Sequence, residues 1–109
     1  MHPQNIMSFP TKIIMYWDVM PGSEAEYSEF IVNEFIPRLN RLGIGDLEFW
    51  YTGFGEHEQI MVAGITPTKE QMDHITDSEE WEALTDRLSD LSVNLRQKIV
   101  KADGLKFQI

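Results

Sequence analysis

Apolar and polar positions alternate through the first strand-like segment, Lys12 to Met20. Ile13, Met15, Trp17 and Val19 point one way, and Ile14, Tyr16, Asp18 and Met20 point the other. A strand apolar on both faces belongs at the centre of a sheet that is covered on both sides. Pro21-Gly22 stops it, and Ser23 with Glu26 three residues on forms the sequence of a helix-opening capping box. The period then changes to helical. Tyr27, Phe30, Ile31, Phe35, Leu39 and Leu42 trace one stripe, which predicts a helix from Glu24 to Leu42. Pro37 lies inside it, removes one backbone donor and predicts a kink. Gly43 follows as a left-handed terminator with Ile44 as its apolar partner.

A second alternating segment, Asp46 to Thr52, sets Leu47, Phe49 and Tyr51 against Glu48, Trp50 and Thr52. Residues 53–58 are expected to be a loop, too long for a two-residue hairpin turn. A third strand, Gln59 to Thr66, is again apolar on both sides. Thr68 with Gln71 predicts another capping box, opening a short helix that carries His74. Asp77 or Ser78 caps a longer helix, with a spine of Trp81, Leu84, Leu88, Leu91 and Leu95 and Ile99 beyond. Asp103-Gly104 is expected to end that helix and release a final strand, Leu105 to Ile109. The order β-α-β-β-α-β predicts an α+β fold with one four-stranded antiparallel sheet and helices on one face only, because right-handed crossovers place both helices on the same side. The domain spans residues 11–109, after an N-terminal arm at 1–10.

The uncovered face of such a sheet still carries at least five large apolar side chains from the first and third strands. At ~25 cal/mol per Å2, leaving several hundred Å2 of them wet costs on the order of 10 kcal/mol, which rivals the stability of a whole domain. Pairing of two sheets about a two-fold axis relieves that cost, so a homodimer is expected.

Composition narrows the chemistry. The 109 residues include nine Lys and Arg against eighteen Asp and Glu, for a formal charge of −9, and no cysteine. Thiolate chemistry and disulfides are excluded. The acidic balance opposes phosphate backbones and acidic lipid surfaces. RNA-binding sheets of this topology need bases and aromatics on the third strand. Here that strand, Gln59-Ile60-Met61-Val62-Ala63-Gly64-Ile65, has neither. No stretch nears the ~20 apolar residues of a membrane span, and residues 1–10 lack the pattern of a signal peptide; the expected setting is cytoplasmic.

Several segments carry a family likeness: Met20-Pro21-Gly22, Glu26-Tyr27 with Phe30, Phe35-Ile36-Pro37, Trp50-Tyr51-Thr52-Gly53-Phe54-Gly55 and Ser78-Glu79-Glu80-Trp81. With them the chain, from Lys12 to Ile109, resembles the dimeric α+β barrel superfamily of ferredoxin-like subunits, and within it the NIPSNAP-like and antibiotic-biosynthesis-monooxygenase-like groups. The resemblance implies sheet-to-sheet dimers. It does not select an activity, because the superfamily hosts oxygenases, isomerases, haem-degrading enzymes and non-catalytic proteins. Haem-degrading members use an Asn on the first strand and a Trp and a His near the second helix; the matching places here hold Met15, Ile75 and Thr85.

Two side chains are candidates for a base. His74 qualifies if it faces the cleft between helix and sheet, and otherwise makes an exposed helical pair with Glu70. Asp18 is a carboxylate embedded in an apolar strand, which is costly unless paired or at the rim. Tyr16, Trp17 and Trp50 are candidate walls of a flat pocket for a planar substrate, or simply core and interface aromatics. His57, between Glu56 and Glu58, is a proton-transfer candidate or a solvated loop residue. No paired-histidine ligand spacing and no glycine-rich phosphate loop occurs, so no metal, flavin, nicotinamide or haem cofactor is expected. The functional expectation is a cofactor-independent oxygenase or isomerase acting on a small organic molecule, with a non-catalytic ligand-binding or assembly module as the alternative. Anisotropy titration at physiological salt should show no binding to RNA or DNA; salt-dependent micromolar affinity would overturn the charge argument.

Overall fold

The computed structural model describes residues 9–54 and 57–102, leaving aside the side chains of Phe54, His57 and Glu58. Strand β1 (Thr11–Val19) leads to helix α1 (Glu24–Phe30), a π-helical turn over Ile31–Phe35 and helix α2 (Ile36–Leu42). Strands β2 (Gly45–Phe54) and β3 (His57–Thr66) follow, then helices α3 (Lys69–Thr76) and α4 (Glu79–Asp90), and strand β4 (Ser92–Lys101). The sheet is antiparallel, in the order β2-β3-β1-β4, so the two strands that are apolar on both faces occupy its centre.

Local chemistry explains most of the boundaries. Gly43 takes φ 111°, and the amides of Gly43 and Ile44 return to the carbonyls of Asn40 and Leu39. That is the expected left-handed helix stop. Thr68 Oγ1 accepts from the Gln71 amide at 3.1 Å, and Ser78 Oγ accepts from the Trp81 amide at 3.2 Å. The kink expected at Pro37 takes the form of the π turn just before it. The Ile36 amide bonds the Ile31 carbonyl, and Pro37 falls in the first turn of α2, where a missing donor costs least.

Three expectations are corrected. Ser23 makes no side-chain cap; Glu24 Oε1 accepts from the Gly22 amide instead, and Glu26 reaches 2.7 Å to Arg87 on α4. That hydrogen bond raises the pKa of the Arg87 guanidinium. The loop assigned to residues 53–58 is mostly ladder, since Gly53 pairs with Glu58 and Phe54 with His57. The largest correction concerns the last helix. It ends at Asp90, not beyond Ile99, and residues 92–101 form the fourth strand along β1. Ser92 Oγ donates to the Leu88 carbonyl and the Leu91 amide bonds the same carbonyl, closing the helix. Beyond it, Val93, Ile99 and Val100 favour extended backbone. The strand expected at Leu105–Ile109 lies outside the described residues.

The core lies between the helices and one face of the sheet. Trp17, Phe35, Met72, Leu84 and Leu88 are completely buried there. Gly64 is required on this side, because an added Cβ would collide with Ile44 and come within 2.9 Å of Leu47. Leu88→Ala should cost about 2–5 kcal/mol, from lost transfer energy plus the cavity left behind. An unchanged urea midpoint would contradict this placement of α4.

Candidate functional site

Strand pairing sorts the candidate residues onto opposite faces. Trp17 points into the helix-covered core, where its indole packs edge-on against Tyr27 and Phe35, with ring centroids 6.4 and 5.8 Å away. Its Nε1 donates to the Tyr27 hydroxyl at 3.0 Å. With no solvent exposure and its polar atom satisfied, Trp17 fills the interior and lines no open cleft. His74 is exposed on α3, in a shallow groove of about 310 Å3 with Leu42, Thr68 and Gln71, rather than between helix and sheet.

Tyr16, Asp18 and Trp50 share the helix-free face. Ladder pairing there sets Arg96, Tyr16, Met61 and Trp50 in one row across the four strands, and Lys98, Ile14, Ala63 and Glu48 in the next. Asp18 pairs with Gln59, and Gln59 with Thr52, in a polar row at one end. Ile14 and Ala63 are nearly solvent-free at the middle, while Trp50 remains 38% exposed.

Two groups on β4 complete this end of the sheet. Asn94 Nδ2 donates to Asp18 Oδ2 at 3.0 Å, and the Arg96 guanidinium lies 5.3 Å from the centre of the Tyr16 ring. A bulge makes this possible. The pairing passes from Tyr16↔Arg96 to Asp18↔Val93, leaving one extra residue, and Asn94 adopts φ 59°, a conformation that asparagine tolerates well. Tyr16, Gln59, Arg96 and Lys98 border an open cleft of about 360 Å3. Among the described residues, Arg38, Arg41, Lys69 and Arg87 meet carboxylates, whereas Arg96 and Lys98 meet none. Both arrive with β4, so a helical reading of residues 92–99 hides them; the β-branched content of Val93, Ile99 and Val100 was the available signal.

The cleft itself offers one aromatic ring and an uncommitted cation, and Asp18 with its fixed hydrogen-bond donor stands in the adjoining row of the same face. Such a set can take a proton from a planar molecule and hold the resulting negative charge. No group of three His, Cys, Asp or Glu suited to a metal ion occurs among the described residues. No described helix is long and apolar enough to cross a membrane.

No family model and no curated protein matches the chain. Solved structures do. SnoaB, a cofactor-independent oxygenase from Streptomyces nogalater, superposes with a TM-score of 0.70 at 9% identity, over 88% of this chain and 95% of that one. A NIPSNAP family protein from Agrobacterium tumefaciens gives 0.60 at 17% identity, covering 85% of each chain. What the chain shares with these structures is the ferredoxin-like α+β fold, with its four-stranded antiparallel sheet. A Bacillus cereus protein, assigned by inference to the antibiotic biosynthesis monooxygenases, gives 0.61 at 17% identity over 90% of this chain and 97% of its own. Identities this low carry the ferredoxin-like architecture across and leave the chemistry to the residues themselves.

Proposed function

We propose that the protein is a homodimer, joined through its helix-free sheet faces, that acts as a cofactor-independent oxygenase or isomerase on a small planar organic molecule. The observation that carries this reading is that Arg96 lies over Tyr16 at the cleft, while Asp18, fixed by Asn94, stands in the adjoining row of the same face and Trp50 stands at the far end of the Tyr16 row. Asp18 accepts a proton from the bound molecule, and Arg96 faces the charge left behind. In an isomerase the proton returns at another carbon. In an oxygenase the electron-rich anion passes electrons to dioxygen, one oxygen atom staying on the product and the other leaving as water. A second sheet closing over the face excludes bulk water and strengthens both interactions.

One observation favours the alternative, a non-catalytic assembly module. The space between helices and sheet is occupied by Trp17 and Phe35, both fully buried, so the helix side offers these residues no open pocket. The two readings separate in a turnover screen of phenolic and quinol-like compounds with chelator-treated protein. Asp18→Asn should lower turnover by roughly a hundredfold or more, and His74→Ala should leave it within about twofold, since His74 lies outside the cleft. Activity lost in His74→Ala but kept in Asp18→Asn would overturn the assignment. Complete inactivity of a dimeric protein would favour the assembly reading, and a stable monomer in light scattering at micromolar concentration would overturn the dimer itself.

A further inference from the structure

The cleft beside Tyr16 is bordered on its β4 side by Arg96 and Lys98, both exposed. Elsewhere in the described residues, Arg38, Arg41, Lys69 and Arg87 each stand 4.0 Å or less from a carboxylate, and Lys101 lies 5.1 Å from the centre of the Phe9 ring. Arg96 contacts the Tyr16 ring, and neither it nor Lys98 meets a carboxylate among the described residues. The chain carries eighteen Asp and Glu against nine Lys and Arg. Two neighbouring cations left over in one cleft therefore ask for an anion from outside.

The ladder fixes where that anion would sit. Arg96 pairs with Tyr16 and Lys98 with Ile14, so both side chains rise from one face, roughly 6.5 Å apart along β4. At that spacing both heads reach a single small anion between them. Ile14 is nearly buried and bounds the cleft behind Lys98. The open space runs the other way, across Tyr16 to Gln59, the ladder partner of Asp18. Because β3 and β4 flank β1, Gln59 and the cations stand about two strand spacings apart, roughly 9–10 Å. The Asp18 carboxylate, one row from Arg96, is engaged by the neutral amide of Asn94 at 3.0 Å.

Each part of the cleft suits a different part of a ligand. A guanidinium and an ammonium together satisfy a carboxylate, whose two oxygens match the guanidinium fork. The Tyr16 ring suits a flat apolar body. Gln59 carries an amide that donates and accepts, which suits a hydroxyl or carbonyl oxygen. We infer that the cleft binds a planar carboxylic acid, its carboxylate held between Arg96 and Lys98 and a hydroxyl or carbonyl group at its opposite end lying at Gln59. On the catalytic reading of the same cleft, on which this rests, that far group comes to lie beside Asp18, the proposed base. In a conjugated acid the charge left by proton loss spreads through the ring toward Arg96, the role already given to that residue.

NMR titration of the full-length chain reads this without turnover, using 4-hydroxybenzoate, 4-hydroxybenzamide, benzoate and inorganic phosphate. The hydroxy acid should bind about tenfold more tightly than its neutral amide and about threefold more tightly than benzoate, and phosphate at equal concentration should not displace it. Lys98→Gln should weaken the hydroxy acid roughly fivefold to tenfold and leave the amide within about twofold, with circular dichroism checking the fold. An amide or a benzoate that binds as well as the hydroxy acid, equal competition by phosphate, equal losses for both ligands in Lys98→Gln, or no binding at all overturns the inference. The acid-to-amide ratio needs no variant, so a misfolded Lys98→Gln does not decide the matter. A hydroxy acid that binds in this way without being turned over supports the inference and defeats the catalytic reading. Asp18-dependent turnover of neutral phenols with no preference for acids does the reverse.

Discussion

The burial of Trp17 governs the rest of the molecule. Its side chain leaves the middle of the sheet, fills the gap beneath α1 and the π turn, and has its one polar atom satisfied by the Tyr27 hydroxyl at 3.0 Å. Phe35, which packs edge-on against it, is carried by the π turn. The widened turn and the proline after it therefore serve the same packing problem. Because this anchor and its neighbours occupy the helix side, the polar and aromatic groups able to meet a ligand collect on the opposite face. There β1 presents Tyr16 and Asp18, with Arg96 beside Tyr16 on β4 and Trp50 two strands away on β2.

Most of the architecture was legible in the sequence wherever a single period ran unbroken. The nine residues of β1 alternate cleanly, and their double-sided apolarity placed them at the sheet centre. Gly43 and Thr68 announced a helix stop and a helix start through side-chain chemistry that works locally, and both act as read. Ser23 shows the limit of such signals: Glu24 and Arg87 offer competing partners, and no motif of four residues contains a partner sixty residues away.

The fourth strand was illegible for a different reason. Leu88, Leu91 and Leu95 keep helical spacing across the junction, so the helix pattern continues past the true end at Asp90. The alternation that should have announced a strand is itself interrupted. Ser92 pairs on the core side and Val93 on the open side; the bulge then inserts Asn94, and Leu95 returns to the core. With the strand went Asn94 and Arg96, which is why only Tyr16, Asp18 and Trp50 of this face were visible beforehand. Alternation already sets Trp17 opposite Tyr16 and Asp18 but does not say which face the helices cover, and His74 qualified as a base only by facing the cleft between helix and sheet, which it does not do.

That inserted residue acts as a reading frame for everything after it. Without the bulge, strict alternation from Ser92 through the same residues would turn Arg96 and Lys98 toward the hydrocarbon interior and send Leu95 and Ile99 out onto the sheet surface. Setting one residue aside is therefore what keeps both cations out of the core. Deleting Asn94 outright would leave Val93, Leu95 and Arg96 in plain alternation with their present facing, so the strand can lose its bulge and keep its pairing. What would go is the left-handed residue whose side chain holds Asp18.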